Sequence, residues 1–174
     1  MVWSTIWAKR GKEKTIEQTK KRGKRLNVCG FFEKNIGFDY GLALKNMTSE
    51  EYITLIDWQA KKAEKRLKKT NKITVLVEDG APIHTSHAVQ APQKKWEKQG
   101  LYLFQLPSYS PDLNEIENEW QRLKEDEIAG ETFECEYDLV LAVIEAVEQR
   151  GKIQELKVER FHFKQKKTSK KKVS

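Results

Sequence analysis

Residues 73–84 read ITVLVEDGAPIH, and residues 101–120 read LYLFQLPSYSPDLNEIENEW. The first stretch is apolar and β-branched, too short for a core helix, and predicts a buried strand that ends at Asp79. The second opens on another apolar run at 101–107, predicted as a second buried strand, and then turns at Ser110-Pro111-Asp112 into a helix from Asn114 to about Lys124. Between them Thr85 or Ser86 can cap a helix reaching about Gly100, which Pro92 should kink or divide. Strand, helix and strand in that order imply parallel neighbours joined by a right-handed crossover. One acid at the end of a strand and another just inside a helix, both at one sheet edge, are what a site needs to hold a divalent cation against a phosphate.

Outward from this stretch, Thr48 or Ser49 can cap a helix with Glu50 and Glu51 in its first turn. Tyr52, Leu55, Ile56, Gln59, Ala63 and Leu67 mark one face of it at helical spacing. Residues 2–9, 26–34 and 36–44 read as three short strands with small turns, an antiparallel meander. A connection at 9–25 holds nine Lys or Arg against two Glu. Residues 136–150 predict a last helix with Leu139, Val143, Ala146 and Val147 inward. The fold class is α/β: a mixed sheet in which an antiparallel meander is followed by parallel strands, flanked by helices.

The 174 residues suit one domain with a modest core. A net charge of +7 and a pI near 9.3 favour a polyanionic partner. No apolar run approaches the roughly 18 residues of a membrane span, and the N-terminus lacks the apolar core of a signal peptide. Cys29 and Cys135 make neither a disulfide framework nor a metal spacing; both are expected buried or half-buried, in a reduced compartment. The lysine-rich end, KQKKTSKKKVS, is expected to be disordered in the free protein and to favour nucleic acid without reading sequence. The basic run at 61–72 reads either as a phosphate track or as a solvated helix face.

Taken alone, Asp79 reads equally as a functional acid and as the Asp of an Asp-Gly turn. Glu117 sits between Glu115 and Glu119, and acids near a helix N-terminus are favoured by the dipole whatever their role. Ile116, Trp120 and Leu123 mark the buried stripe, and Glu117 and Glu119 both border it, so periodicity does not choose between them.

The run EDGAPIH at 78–84 and the run LPSYSPDLNEIENEW at 106–120 resemble the second and third acid blocks of mariner-like DDE transposases. The likeness is to the bacterial insertion-sequence branch, whose blocks run D-N-A-x-x-H and L-P-P-Y-S-P-D-L-N-P-I-E-x-x-W. Residue by residue, the resemblance makes Asp79 the second catalytic acid and Glu117 the third, both of them metal ligands. His84, Asn114 and Trp120 also fall on motif positions, with His84 and Asn114 as candidates for contact with DNA or for holding the ligands. The resemblance implies a ribonuclease-H-like fold and phosphoryl transfer by two Mg²⁺ or Mn²⁺ ions, which prefer oxygen ligands. It also implies transposon ends and target DNA as partners, a homodimer, and a bacterial cytoplasmic setting on the nucleoid. Residues 1–160 would be the catalytic domain and 161–174 a basic tail.

Gly80 stands where the family has Asn, Glu115 where it has Pro, and the spacing from Asp79 to Glu117 is a few residues long. The largest departure concerns the first catalytic acid. In the family it precedes a Trp-x-x-x-Gly segment that here resembles Trp7 to Gly11, and no Asp occurs before Asp39. The family's N-terminal helix-turn-helix domain is also missing from the sequence. The expectation is therefore the later part of a transposase: a decayed copy, a mis-started gene or half of a frameshifted one, inactive alone. The alternatives are a DNA-binding remnant that uses no metal, or a pseudogene product.

Overall fold

The computed structural model describes residues 26–107, 113–129, 131 and 133–163. The strand expected at 2–9, the basic connection before Leu26 and the lysine tail lie outside these residues.

Strands β1 (Asn27–Glu33) and β2 (Gly37–Ala43) form an antiparallel hairpin in which Phe32 faces Phe38 and Val28 faces Leu42. Asn35 turns it with φ 61°, a conformation Asn tolerates better than most residues. Helix α1 (Ser49–Thr70) starts on a capping box: Glu51 N–H donates to Thr48 Oγ1 at 3.2 Å, and Thr48 N–H to Glu51 Oε2 at 2.8 Å. Its buried stripe is Tyr52, Leu55, Ile56, Ala60 and Ala63, close to the face expected.

Strand β3 (Thr74–Glu78) pairs in parallel with β4 (Leu101–Gln105), Val75 opposite Tyr102 and Val77 opposite Phe104. The expected helix between them is divided into α2 (His87–Gln90) and α3 (Gln93–Lys98). Pro92 takes the cap position of α3, where its missing N–H costs nothing. Gly100, at φ +80°, turns the chain into β4, and a Cβ there would lie 2.9 Å from Leu67. Helix α4 (Glu115–Arg122) widens into a π-helical stretch over Leu123–Ile128. Helix α5 (Glu136–Ile153) leads to β5 (Lys157–Phe161), which joins β2 in parallel.

The architecture is α/β with antiparallel and parallel pairings, as expected, but among the described residues the strands form two sheets. One has the order β1-β2-β5, and the other is the β3-β4 pair. β3 and β4 were expected to be buried strands; each is covered on one face only. Leu76, Leu101 and Leu103 pack against α1 with Trp96 and Val89, whereas Val75 and Phe104 are 52% and 55% exposed. The apolar run reflects two faces that could be buried, of which the described residues cover one. A second core forms where Phe38 and Tyr40 meet Val143, Ala146 and Val147 of α5 and Leu123. Cys29 is half-buried as expected, while Cys135 is exposed at the start of α5. No helix among the described residues is long and apolar enough to cross a membrane.

Candidate active site

Asp79 follows β3 immediately, and its carboxylate is held from two sides. The N–H of Ala81 donates to Oδ1 at 3.0 Å, which folds the Asp-Gly turn, and His84 Nδ1 stands 2.9 Å from the same oxygen. The imidazole is fixed in turn by stacking on Tyr52 at 4.7 Å between ring centroids. With the hydrogen on Nδ1, His84 donates to Asp79 and presents Nε2 to its surroundings. The turn reading of Asp79 holds, and the turn orients a carboxylate that stays half exposed.

Beneath Asp79 lies a set of groups that sequence reasoning missed. Tyr52 donates its hydroxyl to Glu78 at 2.6 Å. Burial, then the bond to Glu78 and its charge, push the tyrosine hydroxyl well above its ordinary range. Burial likewise raises the Glu78 carboxyl, with the negative charge of Asp79 adding to it and Tyr52 and His84 opposing. Cys29 on β1 is pushed up to about 12, first by burial and then by the charges of Glu78 and Asp79. Tyr52 was legible only as one member of a helix stripe, and nothing in the sequence signals that it reaches the end of β3.

On α4 the structure separates acids that periodicity left open. Glu119 is 5% exposed and is bound by Arg150 at 3.2 Å, Arg122 at 3.0 Å and Gln154 at 2.8 Å. Its lone pairs are spent on joining α4 to α5, a structural role. Glu115 is exposed and reaches Lys34 at 3.5 Å. Glu117 is exposed in the first turn, and the Asn114 amide donates to its Oε1 at 3.0 Å. Glu117 is therefore open and oriented by a neutral donor, whereas Glu115 faces a lysine and Glu119 is closed off. Trp120 and Ile116 face the sheet: Gly30 of β1 lacks a Cβ, and one placed there would stand 2.5 Å from Trp120 and 3.0 Å from Ile116.

Helix α4 packs over Gly30 of β1, and the charges of Glu78 and Asp79 are felt by Cys29 on the same strand. The structure brings His84 to Asp79 and Asn114 to Glu117; no contact between the two pairs occurs among the described residues. Exposed carboxylate oxygens are the donor type that Mg²⁺ and Mn²⁺ prefer. However, no group of three or more His, Cys, Asp or Glu is gathered as a metal site among the described residues. The donors fit the kind of ion and fall short in number. Elsewhere part of the basic run on α1 is tied to acids: Lys62 to Asp39 and Glu159, Arg66 to Glu33, and Lys68 to Glu64. His87 is exposed on α2 and His162 follows β5.

The family model described as DDE superfamily endonuclease matches residues 1–140. No curated protein sequence matches the chain. Among solved structures, the chain is similar to the Mos1 transposase catalytic domain determined with Raltegravir and Mg, at 14% identity and a TM-score of 0.48. That match covers 71% of this chain and 69% of the other.

Proposed function

The chain belongs to the DDE superfamily of endonucleases, and from that premise we propose that residues 1–160 are part of an insertion-sequence transposase catalytic domain, ribonuclease-H-like in fold, with 161–174 as a basic tail. The observation that carries the reading is the paired support of the two motif acids: Asp79 held by His84 and a backbone N–H, Glu117 held by Asn114. Both remain open to a ligand, while the competing acid Glu119 is consumed by arginines.

The reaction class is phosphoryl transfer on DNA, with Mg²⁺ or Mn²⁺ as the ion a complete site would use. When bound, such ions activate the attacking oxygen and steady the leaving one. In this chain Asp79 and Glu117 orient carboxylate oxygens, and His84 and Asn114 fix those carboxylates by hydrogen bonds, as outer groups do in metal sites. Among the described residues no third carboxylate joins Asp79 and Glu117, and on that count these residues by themselves are inactive in strand cleavage. The partners are transposon ends and target DNA, engaged as a homodimer in a bacterial cytoplasm. The net charge of +7 supports a polyanionic partner.

Calorimetric titration with Mn²⁺ tests the assignment. Weak binding is expected, lost in Asp79→Asn and in Glu117→Gln; binding indifferent to both changes would sink it. Supercoiled plasmid should stay intact with Mn²⁺ present, and efficient nicking would overturn the inactivity. The second reading, a DNA-binding remnant, is favoured by the same short donor set. It requires salt-sensitive DNA binding that EDTA and Asp79→Asn leave unchanged.

A further inference from the structure

His84 Nδ1 faces two oxygens of one residue: Asp79 Oδ1 at 2.9 Å and the Asp79 main-chain carbonyl at 3.1 Å. The loop that brings them together is closed on itself. Ala81 N–H donates to the Asp79 carboxylate at 3.0 Å, and His84 N–H donates to the Ala81 carbonyl at 2.9 Å. Tyr52, which is buried, stacks on the imidazole at an interplanar angle of 29° and fixes the plane of the ring from the α1 side. The group is open to solvent, with the Asp79 side chain 50% exposed and that of His84 18%.

A hydrogen on Nδ1 serves these two oxygens only by being shared between them. With the hydrogen on Nε2 instead, three lone pairs converge, one from nitrogen and two from oxygen. In octahedral coordination with bonds of about 2.1 Å, adjacent donors stand about 3.0 Å apart. The spacing of Nδ1 from both oxygens thus fits neighbouring corners of such a polyhedron as well as it fits a hydrogen bond.

We propose that His84 Nδ1 is a direct ligand, together with Asp79 Oδ1 and the Asp79 carbonyl, for a first-row transition-metal dication such as Mn²⁺, and that this mixed set selects Mn²⁺ over Mg²⁺. The donor types decide the ion. Mg²⁺ sheds water reluctantly and is held by oxygen, whereas sets that mix carboxylates with a histidine hold manganese and iron in four-helix bundles. With Mg²⁺ the imidazole remains the hydrogen-bond donor to Asp79. With Mn²⁺ the ring stays neutral but changes tautomer: the Nδ1 hydrogen leaves to water, and one from water takes Nε2. No third His, Cys, Asp or Glu joins the pair among the described residues; the third donor is main chain, and water fills the remaining positions. This deepens the transposase reading and rests on it for Asp79 as a metal ligand; it adds a nitrogen donor and the choice of ion.

The test is pulsed EPR of Mn²⁺ bound to the full chain, in which a directly bonded nitrogen modulates the electron spin echo. The wild type should show ¹⁴N modulation that gives way to ¹⁵N coupling when histidine alone is ¹⁵N-labelled, a control that needs no substitution. His87→Gln and His162→Gln should keep the modulation, and His84→Asn should lose it. In competition between the two ions, His84→Asn should lower the preference for Mn²⁺ over Mg²⁺ by roughly tenfold, since its amide still donates to Asp79 but brings no imidazole lone pair. An echo without histidine coupling, coupling that survives His84→Asn, or an unchanged preference overturns the proposal. Mn²⁺ that binds in an Asp79-dependent way without nitrogen coupling removes His84 alone and leaves Asp79 as a ligand. Mn²⁺ binding indifferent to Asp79→Asn removes both.

Discussion

The Tyr52 hydroxyl donates to Glu78 Oε2 at 2.6 Å, which ties helix α1 to the last residue of β3, one position before Asp79. The same ring stacks on His84, which in turn holds Asp79. One side chain thus supports the carboxylate from the strand side and from the loop side. Tyr52→Phe keeps the stack and removes the hydrogen bond, leaving a half-buried carboxyl without its donor. A loss of about 1–2 kcal/mol in urea unfolding is expected; an unchanged midpoint would show that Glu78 finds another partner.

Glu117 and Glu119 should separate cleanly in stability measurements. Glu119→Ala leaves Arg150, whose side chain is 11% exposed, with only its 3.3 Å pairing to the exposed Asp126, and should cost about 3 kcal/mol. Glu117→Gln keeps an acceptor for Asn114 in an exposed first turn and should stay within about 0.5 kcal/mol of the wild type. Thermal unfolding of the two variants side by side checks this; equal destabilisation would refute the division of roles.

Glu159 on β5 accepts from Lys157 and from Lys62 of α1, and these bonds hold its carboxyl down at about 2, against an ordinary 4.5. A carboxyl lowered in the folded state stabilises the fold above its unfolded pKa, and that contribution fades as the pH falls toward the folded one. The advantage of wild type over Glu159→Gln should therefore be full above about pH 4.5 and vanish toward about pH 2. Chemical denaturation of both proteins across that window is the measurement, and a gap that widens on acidification would contradict the assignment.

The two thiols should react at very different rates. Burial pushes the Cys29 thiol up to about 12, so it stays protonated at pH 8, and it is half-buried, whereas Cys135 is exposed. Iodoacetamide followed by peptide mass mapping should label Cys135 and spare Cys29 until the protein unfolds. Early labelling of Cys29 would mean that β1 is open at that point.

Much of this organisation was legible because it is local. Thr48 or Ser49 ahead of Glu50 and Glu51 announces the start of α1, with Thr48 proving to be the cap, and Asp79 and the α4 block lie on the expected elements. What escaped was set at long range. Arg150, far along the chain, decides that Glu119 is structural. β5 hides in KVERF, where a single Val and a terminal Phe give too little alternation to mark a strand; its pairing with β2 makes it one. Pro92 correctly flagged a break, yet nothing local fixed where each half would stop. The division of the strands into two sheets was equally invisible, because a run such as TVLVE reads the same whichever of its faces is covered.

The pairing of β2 with β5 has a consequence for synthesis of the chain. β2 ends at Ala43 and its outer partner starts at Lys157. At about 5–20 residues per second, the ribosome takes roughly 5–25 s to supply that partner. Throughout that interval one edge of β2 is available to any other extended chain, including the same strand on a neighbouring ribosome. The yield of this protein should thus depend on translation speed and on chaperones that shield a nascent hairpin.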